Sequence, residues 1–117
     1  MLSKRWAKIY GQFEGIHSWP DAPVGEKYLR NPHRHMFGVV VHIEVLHDDR
    51  SVEYYNFKQY LNIVLISVQG AMDSHDSCEM LCNRIYYEII KRYPHRDMKI
   101  EVNEDFQEGA LYEYDTK

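Results

Sequence analysis

The sequence has no apolar stretch approaching the roughly 20 residues that a membrane-spanning helix requires. It holds only two cysteines and has a formal net charge of −4, so neither a disulfide framework nor a basic surface for a phosphate backbone is expected. The basic N-terminal residues precede no apolar block of the kind found in secretory signals. We therefore predict a cytoplasmic protein that binds neither membranes nor nucleic acids.

The remaining composition is that of an ordinary globular domain. Of the 117 residues, 44% are apolar and 14% are aromatic, which is enough to form a hydrophobic core. Because the sequence has no internal repeat, low-complexity tract or linker, we predict a single domain over residues 1–117.

The first half of the sequence contains extended segments separated by turns. Alternation predicts a strand over Trp6–Phe13, and a run rich in Val and Ile predicts another over Met36–Leu46. Residues 14–32 hold three of the four prolines and read as a long loop. The polar segment 47–50 predicts a hairpin turn, and 51–57 predicts a returning strand.

The second half is mostly helical. Apolar spacings of three and four predict one helix over Phe57–Val68 and another over Cys78–Tyr93, the latter capped by Asp76 or Ser77. Two short strands are then predicted, at Met98–Val102 and Ala110–Tyr114. The predicted class is α+β, with an antiparallel four-stranded sheet and two helices on one face.

Three histidines have a spacing that suits a metal site. His33 and His35 are two residues apart, so they point to the same face if the strand extends back to them. His17 continues the alternation of the first strand and can meet them from a neighbouring strand. Since catalytic zinc commonly has three protein ligands, these residues are the predicted zinc ligands. The alternative is that they are polar residues at strand ends.

The two cysteines lie four residues apart on the second predicted helix. Cys78 and Cys82 could share one face, but a structural zinc site usually needs four ligands in two clusters. We interpret them as buried helix residues. Because Cys78 lies near a helix N-terminus, it also stays open as a candidate nucleophile.

Five short motifs in order along the chain resemble a known family. They are "FEGIH" (Phe13–His17), "HRH" (His33–His35), "NFKQYL" (Asn56–Leu61), "DSCEMLCNRI" (Asp76–Ile85) and "IEVNED" (Ile100–Asp105). Together they resemble the 6-pyruvoyl- and 6-carboxy-tetrahydropterin synthases, which have the tunnelling (T-) fold.

The resemblance implies a ββααββ subunit that forms homo-oligomers, a hexamer or another multiple, closing a barrel. It implies Zn²⁺ bound by His17, His33 and His35, and a pterin- or purine-like small molecule held by Glu104. The implied activity is a lyase acting on a dihydroneopterin-triphosphate-type substrate, in pterin or 7-deazaguanine (queuosine) biosynthesis.

The sequence departs from the family pattern at the acid–base residues. The family carries a catalytic cysteine in the loop before the paired histidines, and the corresponding loop here contains none. Asp73 and His75 are the candidate catalytic pair, with Asp21 or Glu26 as other candidate bases. Three functions stay open: a zinc enzyme, a non-catalytic T-fold module that binds a purine- or pterin-like ligand, and an oligomeric scaffold with structural histidines.

Overall fold

The computed structural model describes residues 1–116 and has the predicted α+β class. One antiparallel sheet with the strand order β1-β2-β3-β4 packs against two helices. The elements are β1 (Trp6–His17), β2 (His33–Glu44), α1 (Tyr54–Ala71), α2 (Cys78–Ile89), β3 (Met98–Glu104) and β4 (Gly109–Tyr114). A 3₁₀ helix at Val24–Arg30 lies in the connection between β1 and β2. The ββααββ order is therefore confirmed.

The register of the sheet places the histidines. β1 and β2 pair along their whole length, from Trp6 opposite Glu44 to His17 opposite His33. The pairing of β2 with β3 then puts Phe37 opposite Glu104. The end of β1, the start of β2 and the end of β3 therefore meet at one end of the sheet.

The helices cover one face of the sheet and form a single core with it. Alternate residues of the strands point into this core, because successive strand side chains face opposite sides. The core includes Ile9, Phe13, Val41, Ile43, Ile100 and Val102 from the sheet, and Phe57, Leu61, Leu65, Leu81 and Ile85 from the helices. Full burial of each aliphatic or Phe side chain contributes about 1.5–3 kcal/mol.

One glycine in β1 allows α1 to approach closely. A Cβ atom at Gly11 would lie 2.6 Å from Cδ1 of Leu65 and 3.3 Å from Cδ2 of Leu61. The helix therefore packs directly on the strand backbone at this position, which fixes β1 against the core.

The predicted strand at 51–57 is wrong, since α1 begins at Tyr54. The Glu53 side chain caps this helix by accepting hydrogen bonds from the backbone N–H groups of Tyr55 at 2.9 Å and Asn56 at 3.1 Å. This cap outweighs the β propensity of the tyrosines. The segment 47–50 is therefore a connection between β2 and α1, not a hairpin turn.

Other element bounds also differ from the prediction. β1 continues to His17 and β2 already begins at His33, because the two strands pair up to this point. The loop between them is therefore shorter than predicted. At the start of α2, Ser77 is the cap, and its Oγ accepts a hydrogen bond from the Met80 N–H at 3.2 Å. The helix ends at Ile89, four residues before the predicted end at Tyr93. Neither helix of residues 1–116 combines the length and apolarity needed to cross a membrane.

Candidate metal centre

His17, His33 and His35 converge at the end of β1 and the start of β2, as the alternation predicts. Their ring centroids are 4.6 Å apart for His17 and His33, 5.2 Å for His17 and His35, and 5.0 Å for His33 and His35. One ring nitrogen from each lies within 4.8 Å of the other two, so the cluster could hold a metal ion.

Backbone carbonyls orient two of the three imidazoles. Nδ1 of His17 lies 2.8 Å from the carbonyl oxygen of Asp76, and Nδ1 of His33 lies 2.9 Å from that of Asn31. A carbonyl oxygen only accepts hydrogen bonds, so each Nδ1 must carry the proton and donate. In the neutral imidazole, Nε2 then carries a lone pair that is available for a metal.

The third imidazole has a carboxylate as its partner. Nδ1 of His35 donates to Oδ2 of Asp105 at 2.7 Å. This hydrogen bond, together with one from the Met36 N–H, holds the pKa of Asp105 below its ordinary value, so the carboxylate is ionised at neutral pH. In the neutral imidazole, Nε2 of His35 then also carries a lone pair.

The carboxylate of Glu104 lies beside the Nε2 atoms of His17 and His35. Its Oε2 atom lies 3.0 Å from Nε2 of His17 and 3.6 Å from Nε2 of His35. With both imidazoles in the neutral Nδ1–H form, acceptor atoms would face each other here, and a bound cation would relieve their repulsion. A metal ion fits this donor set, and imidazole suits zinc, copper, iron or nickel.

An ion pair of the buried Asp76 carboxylate holds the α1–α2 connection, whose Asp76 carbonyl is the hydrogen-bond partner of His17. The side chain of Asp76 is 5% exposed, and its Oδ2 lies 2.7 Å from Nε of Arg84 in α2. The same oxygen accepts a hydrogen bond from the Asp73 N–H at 2.8 Å. The α1–α2 connection is thereby fixed to α2, so the Asp76 carbonyl is presented to His17 in one position.

A cavity of about 620 Å³ opens beside the imidazoles, a size suited to a small molecule. One wall comes from the β1–β2 connection, where the Trp19 N–H donates to the Leu29 carbonyl at 2.7 Å. The start of α2 and the end of β3 form other walls. Lining residues include Ser18, Trp19, Leu29, His75, Ser77, Cys78, Glu79, Met80, Glu104 and Glu108.

The candidate acid–base residues are placed differently from one another. His75 lines the cavity, with its Nδ1 3.3 Å from Oγ of Ser18. The Asp73 carboxylate accepts from the backbone N–H of His75 at 2.9 Å, so it contacts the backbone of His75 and orders the connection. Among residues 1–116, Asp21, Glu26 and Asp73 are not lining residues of this cavity.

Both cysteines are buried and free, which confirms their interpretation as buried helix residues. Cys78 lines the cavity, but burial, followed by the charge of Glu104, raises the pKa of its thiol to about 12. Burial also raises the pKa of Cys82 to about 12. A thiol is nucleophilic as the thiolate, so Cys78 is protonated and unreactive at neutral pH.

Sequence reasoning missed the residues that orient the imidazoles. Asn31 and Asp76 act through backbone carbonyls, which carry no side-chain signal. Asp105 acts through its side chain, but only because its backbone has a positive φ of 56°. The one available signal was the acidic pair Glu104–Asp105, just after the predicted strand Met98–Val102.

No protein-family model matches the chain, and no curated protein matches it either. What this site can do therefore follows from its own geometry and chemistry.

Proposed function

We propose that the chain is a divergent T-fold protein of the tetrahydropterin synthase type that binds Zn²⁺ through Nε2 of His17, His33 and His35. One observation carries the proposal: all three Nδ1 atoms have fixed acceptors, which leaves the three Nε2 atoms for a metal, and one ring nitrogen from each histidine lies within 4.8 Å of the others. Metal-binding histidines are typically oriented by such outer hydrogen bonds.

The adjoining cavity would take a pterin- or purine-like molecule. Glu104 is the proposed ring anchor, because a carboxylate can accept two parallel hydrogen bonds from a guanine-type edge. Since its Oε2 already lies against the imidazoles, a ring held there would be placed beside the metal. Bound zinc would supply a Lewis acid that polarises a substrate oxygen.

The proposed reaction is of the 6-pyruvoyl- or 6-carboxy-tetrahydropterin synthase type, a lyase reaction on a dihydroneopterin-triphosphate-type substrate in pterin or queuosine (7-deazaguanine) biosynthesis. His75 is the proposed proton-transfer residue, since it lines the cavity and is held next to Ser18. Asp73 would keep His75 in place through its bond to the backbone N–H.

A second function is favoured by the thiol chemistry. The β1–β2 connection has no cysteine, and the thiol of Cys78 has a pKa of about 12, so neither supplies a thiolate. The chain would then be a non-catalytic T-fold module that binds a purine- or pterin-like ligand beside the metal.

Either function would involve a homo-oligomer, a hexamer or another multiple, that closes a barrel. The sheet ends in two edge strands, β1 and β4, and edge strands offer unpaired backbone groups to other chains. Apolar side chains on both edges are exposed, including Ile16 at 56% and Leu111 at 59%. Pairing of these edges between subunits would cover them.

Metal analysis followed by substrate incubation tests the proposal. Purified protein should contain Zn²⁺ and bind guanine-type rings. Turnover of 7,8-dihydroneopterin triphosphate would support the lyase if His75→Ala loses it. The matched control is His95→Ala, at an exposed histidine, which should keep the turnover. Ring binding without turnover would support the module. Protein that binds neither zinc nor a ring would overturn both.

A further inference from the structure

Asp105 is tied to the start of β2 by three hydrogen bonds. Its backbone N–H donates to the Met36 carbonyl at 2.7 Å, and its Oδ1 accepts from the Met36 N–H at 3.0 Å. Its Oδ2 accepts from Nδ1 of His35 at 2.7 Å. Both carboxylate oxygens are therefore used, one to fix the backbone of β2 and the other to fix an imidazole.

The backbone after β3 makes these contacts possible. Asp105 and Phe106 have positive φ values of 56° and 64°, a left-handed conformation that is unfavourable for residues other than glycine, although Asp and Asn tolerate it. The turn is closed by the Glu104 N–H donating to the Glu108 carbonyl at 2.9 Å. The reversal directs the Asp105 side chain back across β2.

His35 differs from the other two imidazoles in its partner. His17 and His33 donate to neutral carbonyl oxygens, whereas His35 donates to an ionised carboxylate. A carboxylate partner fixes the tautomer and ring orientation and also makes the metal-binding nitrogen more basic. His35 would thus be the strongest donor of the three.

We propose that Asp105 is a positioning residue of the metal centre: by accepting the hydrogen bond from Nδ1 it fixes the ring of His35, leaves Nε2 as the nitrogen for the metal, and increases the donor strength of that nitrogen. The inference rests on the proposed zinc site and deepens it, since it assigns a role to a residue outside the ligand set. Asp105 itself does not touch the metal.

Zn²⁺ affinity, measured by competition with a chelator, tests the role. Asp105→Gly removes the carboxylate while suiting the left-handed backbone. We expect a loss of about 10–100-fold in Zn²⁺ affinity, the usual effect of removing such a partner. Asp48→Gly, which removes an exposed acid at the opposite end of the sheet, is the control and should leave the affinity unchanged.

A double-mutant cycle separates positioning from general stability. If Asp105 acts through His35, Asp105→Gly has no further effect on Zn²⁺ affinity in a His35→Ala protein. An equal loss in both backgrounds, or no loss in the wild-type background, would overturn the role. If Asp105→Gly does not fold, Asp105→Asn replaces it: the amide has one acceptor oxygen for two donors, so an intermediate loss is expected.

A readout without metal keeps the two proposals distinguishable. In nitrogen-15 NMR spectra of the metal-free protein, His35 should be the Nδ1–H tautomer. Asp105→Gly should change the tautomer of His35 but leave the tautomers of His17 and His33 unchanged. Unchanged His35 signals would overturn the positioning role alone. Wild-type protein that binds no Zn²⁺ would overturn the proposed function, and with it the metal role of Asp105.

Discussion

The two ends of β2 hold histidines in opposite environments. At its start, His33 and His35 lie among fixed acceptors and the carboxylate of Glu104. Towards its end, His42 lies between Lys8 and Lys99 in the sheet register. Among residues 1–116 its buried Nδ1 has no hydrogen-bond partner, and burial and the lysines lower its pKa.

The difference shows which surroundings suit a histidine to metal binding. The pKa of His42 is lowered, so its imidazole is neutral, but the two cations beside it oppose a bound metal ion, and within residues 1–116 its Nδ1 has no acceptor. Each histidine at the start of β2 has an acceptor on Nδ1, and Glu104 places negative charge near Nε2 of His35. The groups around the imidazole, more than the number of histidines, therefore define the site.

The largest expected effect is on metal binding when a ligand is removed. His33→Ala should lower Zn²⁺ affinity by more than the ~10–100-fold typical of losing an outer partner, because one of three ligands is lost. His42→Ala should bind Zn²⁺ as the wild type does. Chelator competition measures both, and full metal content in His33→Ala would remove the zinc assignment.

Glu104→Gln keeps the shape of the side chain and removes its charge. Hydrogen bonds to a charged group contribute about 1.5–3 kcal/mol, so the affinity for a guanine-type ring should fall by about 10-fold or more. Zn²⁺ should also bind more weakly, because Oε2 lies 3.0 Å from Nε2 of His17. Calorimetric titration with the ring would exclude Glu104 as the anchor if its affinity did not change.

Arg84→Met tests the support behind His17. The buried Asp76 carboxylate would lose its charged partner, and since Arg84 is 38% exposed, we expect a loss of about 1–2 kcal/mol in the free energy of unfolding. Urea denaturation measures this loss. Arg50→Met, which breaks the exposed ion pair with Asp49, should leave the free energy of unfolding almost unchanged. Equal losses in the two variants would mean that the Asp76–Arg84 pair stabilises the fold no more than an exposed pair does.

The smallest effect concerns pH and His42. Its pKa is lower in the folded chain than the ordinary value of 6.5, so the unfolded chain binds the proton more readily. The free energy of unfolding should therefore fall as pH decreases below about 6.5. Metal-free His42→Gln should lose less stability over that range. Identical pH profiles would show that His42 does not titrate differently in the two states.

Alternation along the strands was enough to predict that the three histidines converge into a cluster that could hold a metal ion. His17, His33 and His35 obey the two-residue period, and pairing of β1 with β2 extends that period to the strand ends. The pattern of apolar residues also predicted both helices, because each helix buries one face in the same core.

The errors occurred where a single local contact overrides a pattern. At 51–57 the Glu53 cap starts a helix in a segment of β-forming residues. Of the two predicted candidate caps of α2, Ser77 is confirmed, whereas the carboxylate of Asp76 bonds to Arg84. The orientation of Asp105 depends on a positive φ that residue type alone does not specify.

The connection between β1 and β2 has its two ends fixed by the pair His17–His33. Its residues, including Trp19 and Leu29, line the cavity, while the three clustered histidines lie on the paired strands β1 and β2. Substitutions in this connection can therefore change which molecule fits without displacing the imidazoles. In an evolving lineage, such a division would let the molecule that fits the cavity change while the histidine cluster is kept.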